Sequence, residues 1–228
     1  MLYTGIRHSP RSLSASASPR LLPLYFKEWI HLSKGLKLTD ILVTVVIAVV
    51  FAVIYRLWGD VYNVLKIPGL QLEQLGYGMW FIAGTVAFLI LRKPGVAFLA
   101  EAAAASGEMI MGSQYGVEAF TYGLVQGLLA ELVFAAAGYK RHTALIAGLA
   151  GAASGVGSIV YDYFKLYLAE LQSWNLMLYI VFRLVGAFVI TGPLAYVIVK
   201  ALEKTGVTQL VRPASSLDYQ ALDRKKTL

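Results

Sequence analysis

Six apolar stretches follow one another almost without interruption between residues 38 and 201. Nothing else in the chain restricts its fold so severely, because each approaches or exceeds the roughly 20 apolar residues that cross the hydrocarbon of a bilayer. They run from Leu38 to Trp58, about Leu75 to Leu91, Gly95 to Met111, about Tyr115 to Gly138, Thr143 to Phe164 and about Trp174 to Val199. Arg92, Lys93 and Pro94 stop the second, and Lys140, Arg141 and His142 stop the fourth. Mean hydropathy is +0.65. Only 14% of residues are charged, where a soluble domain carries about a quarter. The expectation is an all-α membrane protein with six transmembrane helices. Its membrane domain covers 38–203, between an N-terminal extension over 1–37 and a basic tail over 204–228.

The positive charges select an orientation. With both termini in the cytoplasm, sixteen lysines and arginines fall on the inner side. Arg56, Lys66 and Lys165 fall outside, and Arg183 remains within the sixth span. Lys and Arg favour the cytoplasmic side, so a multi-pass plasma-membrane protein with N and C termini cytoplasmic is expected. The same distribution, at span ends and in tails, accounts for the net charge of +7 without a nucleic-acid partner. Residues 1–24 contain Ser, Pro and Arg but no acid. That composition fits a disordered tail or a misassigned start, and also an organelle transit peptide. Residues 25–37 suit a short helix lying in the membrane interface.

Several chemistries are disfavoured. There is no cysteine, hence no disulfide, thiolate metal site or cysteine nucleophile. His8, His31 and His142 lie outside the spans, which argues against an intramembrane histidine metal site or a Ser-His-Asp relay. No G-x-x-x-x-G-K-[ST], G-x-S-x-G or H-E-x-x-H occurs, so neither ATP hydrolysis nor the usual hydrolase chemistry is written in the chain. A solute binder that needs no cofactor and draws its energy from a partner fits best.

Charged side chains in hydrocarbon cost on the order of 3 kcal/mol on insertion scales, so each asks for a reason. Glu101 falls near the midplane of the third span. Glu108, seven residues on, shares its face about 10 Å nearer the outside. In the sixth span Asn175, Tyr179 and Arg183 recur every four residues and descend to a depth of roughly 13 Å. Ser154, Ser158, Tyr161, Asp162 and Lys165 form a similar stripe in the fifth. Tyr77 and Trp80 open the second, and Gln126 lies in the fourth. Five helices thus place polar groups at a common depth, which suggests one outward-opening cavity lined by acids and aromatics. A carboxylate there can accept two parallel hydrogen bonds from an aminopyrimidine edge while Trp or Tyr stacks on its face.

Plainer readings compete with this one. Glu101 and Arg183 can be a buried ion pair, since intramembrane charges usually pair. Asp162 and Lys165 can pair locally, and Tyr77, Trp80, Tyr161 and Trp174 can belong to an interfacial belt. Glu118 sits close enough to the surface to need no explanation, and Glu131 reads as a packing or coupling residue. The loop from Gly59 to Gln74 serves either as a lid or as an ordinary connector. Gly148, Gly151 and Gly155 suggest helix packing within the chain. Ala48 and Ala52 form a shallow groove for either an internal neighbour or a partner subunit.

Some of these residues also carry a family likeness. The stretch Gly76-Tyr-Gly-Met-Trp-Phe, then Arg92-Lys-Pro-Gly, Glu101 and Glu108, resembles the YkoE family. So do Gly123-Leu-Val-Gln-Gly-Leu-Leu-Ala-Glu131 and Ser158-Ile-Val-Tyr-Asp162. The likeness covers about residues 38–205. YkoE-type proteins are S components of energy-coupling factor (ECF) vitamin importers, associated with thiamine and its hydroxymethylpyrimidine precursor. The resemblance implies a six-helix S-component bundle, a transmembrane coupling (T) subunit and two ABC ATPases. It implies capture of substrate from outside and a tipping movement that releases it inside. The Ala48/Ala52 groove resembles the surface offered to the coupling subunit. Asn63 joins the candidates because its Tyr-Asn-Val-Leu stretch also resembles the family. The expected substrate-binding set is therefore Asn63, Tyr77, Trp80, Glu101, Glu108, Gln126, Tyr161, Asp162, Asn175, Tyr179 and Arg183, with no metal ligand. An S component for another vitamin or a metal, a membrane-embedded enzyme and a purely structural subunit remain as alternatives.

Overall fold

The computed structural model describes residues 36–67, 69–206 and 208. The expectations for the N-terminal extension and most of the basic tail lie outside these residues. The described chain is helical, with no strand among the described residues. Its helices are α1 (Leu38–Val64), α2 (Leu72–Leu91), α3 (Val96–Ile110), α4 (Val117–Ala136), α5 (Ala144–Phe164) and α6 (Ser173–Lys204). Five of them are long and apolar enough to cross a membrane. The exception, α3, has 15 residues, a length of about 22 Å at the helical rise.

Around the bundle the helices pack in the order α1, α3, α4, α5, α6, and α2 runs between them. Every residue from Ile82 to Leu91 is buried, as befits a helix apolar on all sides. The other helices face outward with rows such as Val45, Val49 and Val53 on α1, a surface suited to lipid tails. Small residues bring the helices close. A Cβ on Gly151 would collide with Thr191 of α6, and one on Gly186 with the Leu75 backbone of α2. The glycines of α5 thus pack inside the chain.

Two boundaries differ from the hydropathy reading. Helix α1 continues past Trp58 to Val64, so the connector expected from Gly59 shortens. Gly59 is not a stop: a Cβ there would lie 3.0 Å from Gln114 Nε2, and Gln114 donates to the Gly59 carbonyl at 3.2 Å. Helix α2 begins as a 3₁₀ helix over Leu72–Phe81 and becomes α-helical over Ile82–Leu91. In α6 a π turn over Ile190–Leu194 accommodates Pro193. There the Thr191 hydroxyl donates to the Ala187 and Ala147 carbonyls at 2.8 and 3.1 Å.

Alternating helix directions gather the α1, α3 and α5 C-termini with the α2, α4 and α6 N-termini at one end. At the opposite end a buried acid and a half-buried one clasp the helix starts. Asp40 accepts the Lys37 backbone N–H at 2.7 Å and pairs with Lys93 beyond α2. Glu131 of α4 accepts the backbone N–H groups of Gly95, Ala97 and Phe98 at 2.6, 3.0 and 3.2 Å. It caps α3 from a neighbouring helix, with its negative charge at the positive end of the α3 dipole. Arg92 and Lys200 meet Glu203 at 3.5 and 2.9 Å.

Candidate functional site

The other end encloses a cavity of about 360 Å³ with sixteen lining residues, seven of them aromatic. That proportion offers ring faces on which a planar solute could stack. Helix α1 supplies Tyr62 and the following connector Lys66. Helix α3 supplies Ala105 and Glu108, and the next loop Tyr115. Glu118, Ala119, Tyr122 and Gln126 come from α4, Asp162 from α5, Tyr167 from the loop after it, and Tyr179 and Arg183 from α6.

Gln74, Tyr77 and Trp80 come from the 3₁₀ part of α2. At three residues per turn, side chains three apart stack in one row. The local helix type therefore puts all three on the cavity wall. In an α-helix the same residues would fan out by about 60° per step. The Trp58 indole N–H donates to the Gly76 carbonyl at 3.0 Å, which anchors the segment to α1. Trp80 packs on Tyr62, Tyr77 and Tyr115 with ring centroids 4.7, 5.5 and 5.5 Å away. Burial, and then the Glu108 carboxylate, hold the Tyr115 hydroxyl above the ordinary tyrosine range, so it stays protonated.

One buried cluster organises the α5–α6 side. Arg183 pairs with Asp162, donates from Nε to Gln74 Oε1 at 2.8 Å and reaches Ser158 Oγ at 3.4 Å. Its guanidinium lies 3.6 Å from the Tyr77 ring centroid and 4.3 Å from that of Tyr179. Asp162 also accepts the hydroxyls of Tyr179, at 2.5 Å, and Tyr122. Both carboxylate oxygens are thus occupied and the charge is neutralised within the wall.

Elsewhere the wall is left open. Gln126 Nε2 is buried without a hydrogen-bond partner, and the Trp80 indole N–H is turned toward the Glu108 carboxylate. Glu108, 3% exposed, accepts the Ser113 hydroxyl at 2.8 Å and forms no ion pair among the described residues. At the mouth Glu118 receives Lys165 at 2.6 Å and the Tyr167 hydroxyl at 2.8 Å.

Of the eleven expected binding residues, seven line the cavity: Tyr77, Trp80, Glu108, Gln126, Asp162, Tyr179 and Arg183. Four do not. Glu101 lies two turns below Glu108 and accepts from Tyr55 Oη at 2.9 Å and the Gly84 backbone at 3.1 Å. Tyr161 sits behind Tyr122, with centroids 4.4 Å apart, and bonds to Thr121 at 3.0 Å. Asn63, one residue past the inward-facing Tyr62, donates to Gln114 Oε1 at 2.7 Å. Asn175 lies one turn before Tyr179 and its buried Oδ1 has no partner.

Neither of the two expected ion pairs forms. Arg183 meets Asp162 rather than Glu101, and Lys165 crosses to Glu118 of α4 rather than to Asp162. Glu118, set aside on the sequence, lines the cavity. Ala48 and Ala52 are buried, and Ala52 stands where a Cβ on Gly107 of α3 would clash. Their groove is filled from within the chain. Among the lining residues missed, Gln74 was legible from its three-residue step to Tyr77 and Trp80, and Tyr122 from its four-residue steps to Glu118 and Gln126. No group of three or more His, Cys, Asp or Glu among the described residues is placed to hold a metal ion.

Comparisons with known proteins agree on the kind of molecule this is. The family described as "ABC-type cobalt transport system, permease component" matches residues 39–157. The "Putative HMP/thiamine permease protein YkoE" of Bacillus subtilis (strain 168) is 36% identical over 176 residues, covering 76% of this chain and 88% of the relative. A solved chain described as "Crystal structure of an S-component of ECF transporter" superposes with a TM-score of 0.73 at 33% identity, covering 85% of this chain and 96% of that one.

Proposed function

The chain belongs to the YkoE family of ECF S components and is a multi-pass plasma-membrane transport protein, and from that premise we propose that its cavity captures thiamine or the hydroxymethylpyrimidine precursor for import. The observation that carries the reading is Glu108, a buried acid without a cationic partner on the wall of an aromatic cage. An aminopyrimidine offers an amino N–H and a ring nitrogen to such a wall. Glu108 accepts the amino group, and Gln126 Nε2 is free to donate to a ring nitrogen or a hydroxyl. Tyr62, Tyr77 and Trp80 supply faces on which the heterocycle stacks. A cationic thiazolium is favoured in the same place by the ring faces and by Glu108. The Asp162–Arg183 cluster holds Tyr77 and Tyr179 in place and adds no net charge.

Positive charge supports an orientation with the cavity outside and both termini cytoplasmic, because Lys37, Arg92, Lys93, Lys140, Arg141, Lys200 and Lys204 all lie at the clasp end or its loops. In this orientation α3 completes a sixth crossing. The chain has no phosphate loop, so a T subunit and two ABC ATPases drive release. Cobalt appears in the description of the matching family. The cavity wall carries no histidine, and its Asp162 is already bonded on both oxygens, a donor set better suited to an aromatic cation than to a transition metal.

The test is calorimetric titration of the purified chain with thiamine and with hydroxymethylpyrimidine, repeated on Glu108→Gln. Stoichiometric binding to the native chain, weakened at least tenfold by the substitution, is expected. Absence of heat or fluorescence change with both ligands would end this reading.

A further inference from the structure

Helix α2 changes from 3₁₀ to α-helix at Phe81, whose backbone angles are φ −142° and ψ 21°. Such a change moves each N–H acceptor from three residues back to four. The N–H groups of Ala83 and Gly84, at the start of the new helix, then need partners outside it. Both find side chains from other helices. Tyr55 Oη on α1 accepts the Ala83 N–H at 2.9 Å and donates to Glu101 Oε2 at 2.9 Å. The same Glu101 oxygen accepts the Gly84 N–H at 3.1 Å. Tyr55 is 0% and Glu101 1% exposed. Glycines fix the space around them: a Cβ on Gly84 would lie 2.8 Å from the Ala97 carbonyl oxygen, and one on Gly127 would lie 2.9 Å from Glu101 Cβ. Neither residue lines the cavity.

We propose that Tyr55 and Glu101 are a positioning pair that touches no ligand. By capping the break in α2 they hold the register in which Gln74, Tyr77 and Trp80 form one row on the cavity wall. If the cap is lost, the 3₁₀ segment relaxes toward an α-helix. Each three-residue step then turns about 60° less, and Trp80 rotates by about 120° relative to Gln74. The aromatic wall is dismantled although no binding residue has changed. The proposal deepens the thiamine reading and rests on it for its affinity readout.

The test uses the full chain labelled with 5-fluorotryptophan, with the Trp80 resonance identified by Trp80→Phe. Fluorine spectra are recorded without ligand, and thiamine affinity is measured in parallel. Tyr55→Phe and Glu101→Ala are each expected to shift the Trp80 resonance and to weaken thiamine binding at least tenfold. The double substitution should be no worse than the worse single one, because the pair acts as a unit. Glu101→Gln should stay within threefold of the native chain, since its amide oxygen still accepts from Gly84. Glu131→Ala serves as the control: it removes a comparable cap at the clasp end and should leave both readouts unchanged. An unmoved Trp80 resonance in Tyr55→Phe overturns the proposal. So does a loss in Glu101→Gln as large as in Glu101→Ala, which marks a charge contact with ligand. If Glu101→Ala fails to fold, Tyr55→Phe and Glu101→Gln carry the test. If the native chain binds neither thiamine nor hydroxymethylpyrimidine, the binding reading falls and the ligand-free Trp80 resonance still decides the positioning pair.

Discussion

At the clasp end, Asp40 and Glu131 have hydrogen-bond or ion-pair partners within the chain: a lysine and a helix start for one, three backbone N–H groups for the other. At the cavity end, with a similar supply of polar side chains, Asp162 and Glu118 are engaged in this way and the others are not. Glu108 lacks a cation among the described residues, and Gln126 Nε2 lacks any acceptor. A buried polar group without a partner costs about 1–3 kcal/mol. Glu73 Oε2, Glu101 Oε1 and Asn175 Oδ1 are also buried without a partner away from the cavity, but only on the cavity wall does a solute have room to complete such a group. Stability and binding therefore separate along the bundle axis, and substitutions at the two ends should report on different properties.

The contrast breaks most forcefully at Arg183. Arg183→Met leaves Asp162 buried without its cation, which should cost about 3–5 kcal/mol of stability and abolish measurable thiamine binding. Thermal unfolding in detergent and calorimetry read the two effects, and retained affinity would show that the cluster has no bearing on the wall. Glu131→Ala comes next. Three N–H groups lose their acceptor, stability falls by about 1–2 kcal/mol, and affinity stays within twofold. A binding loss there would erase the distinction between the ends. Gln126→Leu sharpens it in the opposite sense: removing an unpaired donor should leave the ligand-free melting temperature unchanged or raised, while affinity drops about tenfold for one lost hydrogen bond. The smallest effect belongs to the mouth. Glu118 holds the Lys165 ammonium above the ordinary lysine range. This contact therefore stabilises the fold between about pH 5 and about pH 10: it weakens as the pH rises past the lysine's folded value, and it is lost in acid where the Glu118 carboxylate protonates. Melting curves at pH 6 and pH 9 should give the same difference between the native chain and Lys165→Ala.

The helices were legible because hydropathy alone marks a segment that must avoid water; α5, read as Thr143 to Phe164, is Ala144–Phe164 in the structure. The end of α1 was not, because Gly59 and Asp60 look like a stop until Gln114 is seen against the glycine. Depth along each span was enough to collect Tyr77, Glu108, Asp162 and Arg183 at one level. It could not say which way a side chain turns, so Tyr161 and Glu101 share the level or face of the cavity residues yet stand behind or below them. The 3₁₀ geometry of α2 was hidden for a different reason: apolar content is the same in either helix type, and only the spacing of Gln74, Tyr77 and Trp80 hinted at three residues per turn.

Arg183 belongs to α6, made after the helices that carry its partners. A guanidinium at that depth is refused by bare lipid, whereas Asp162 and Gln74 are made earlier and can already be folded into α5 and α2. Helix α6 therefore has to enter beside its siblings rather than alone. An ionic handshake thus orders the assembly, and a chain interrupted before that helix would leave Asp162 with the Tyr122 hydroxyl but without its cation.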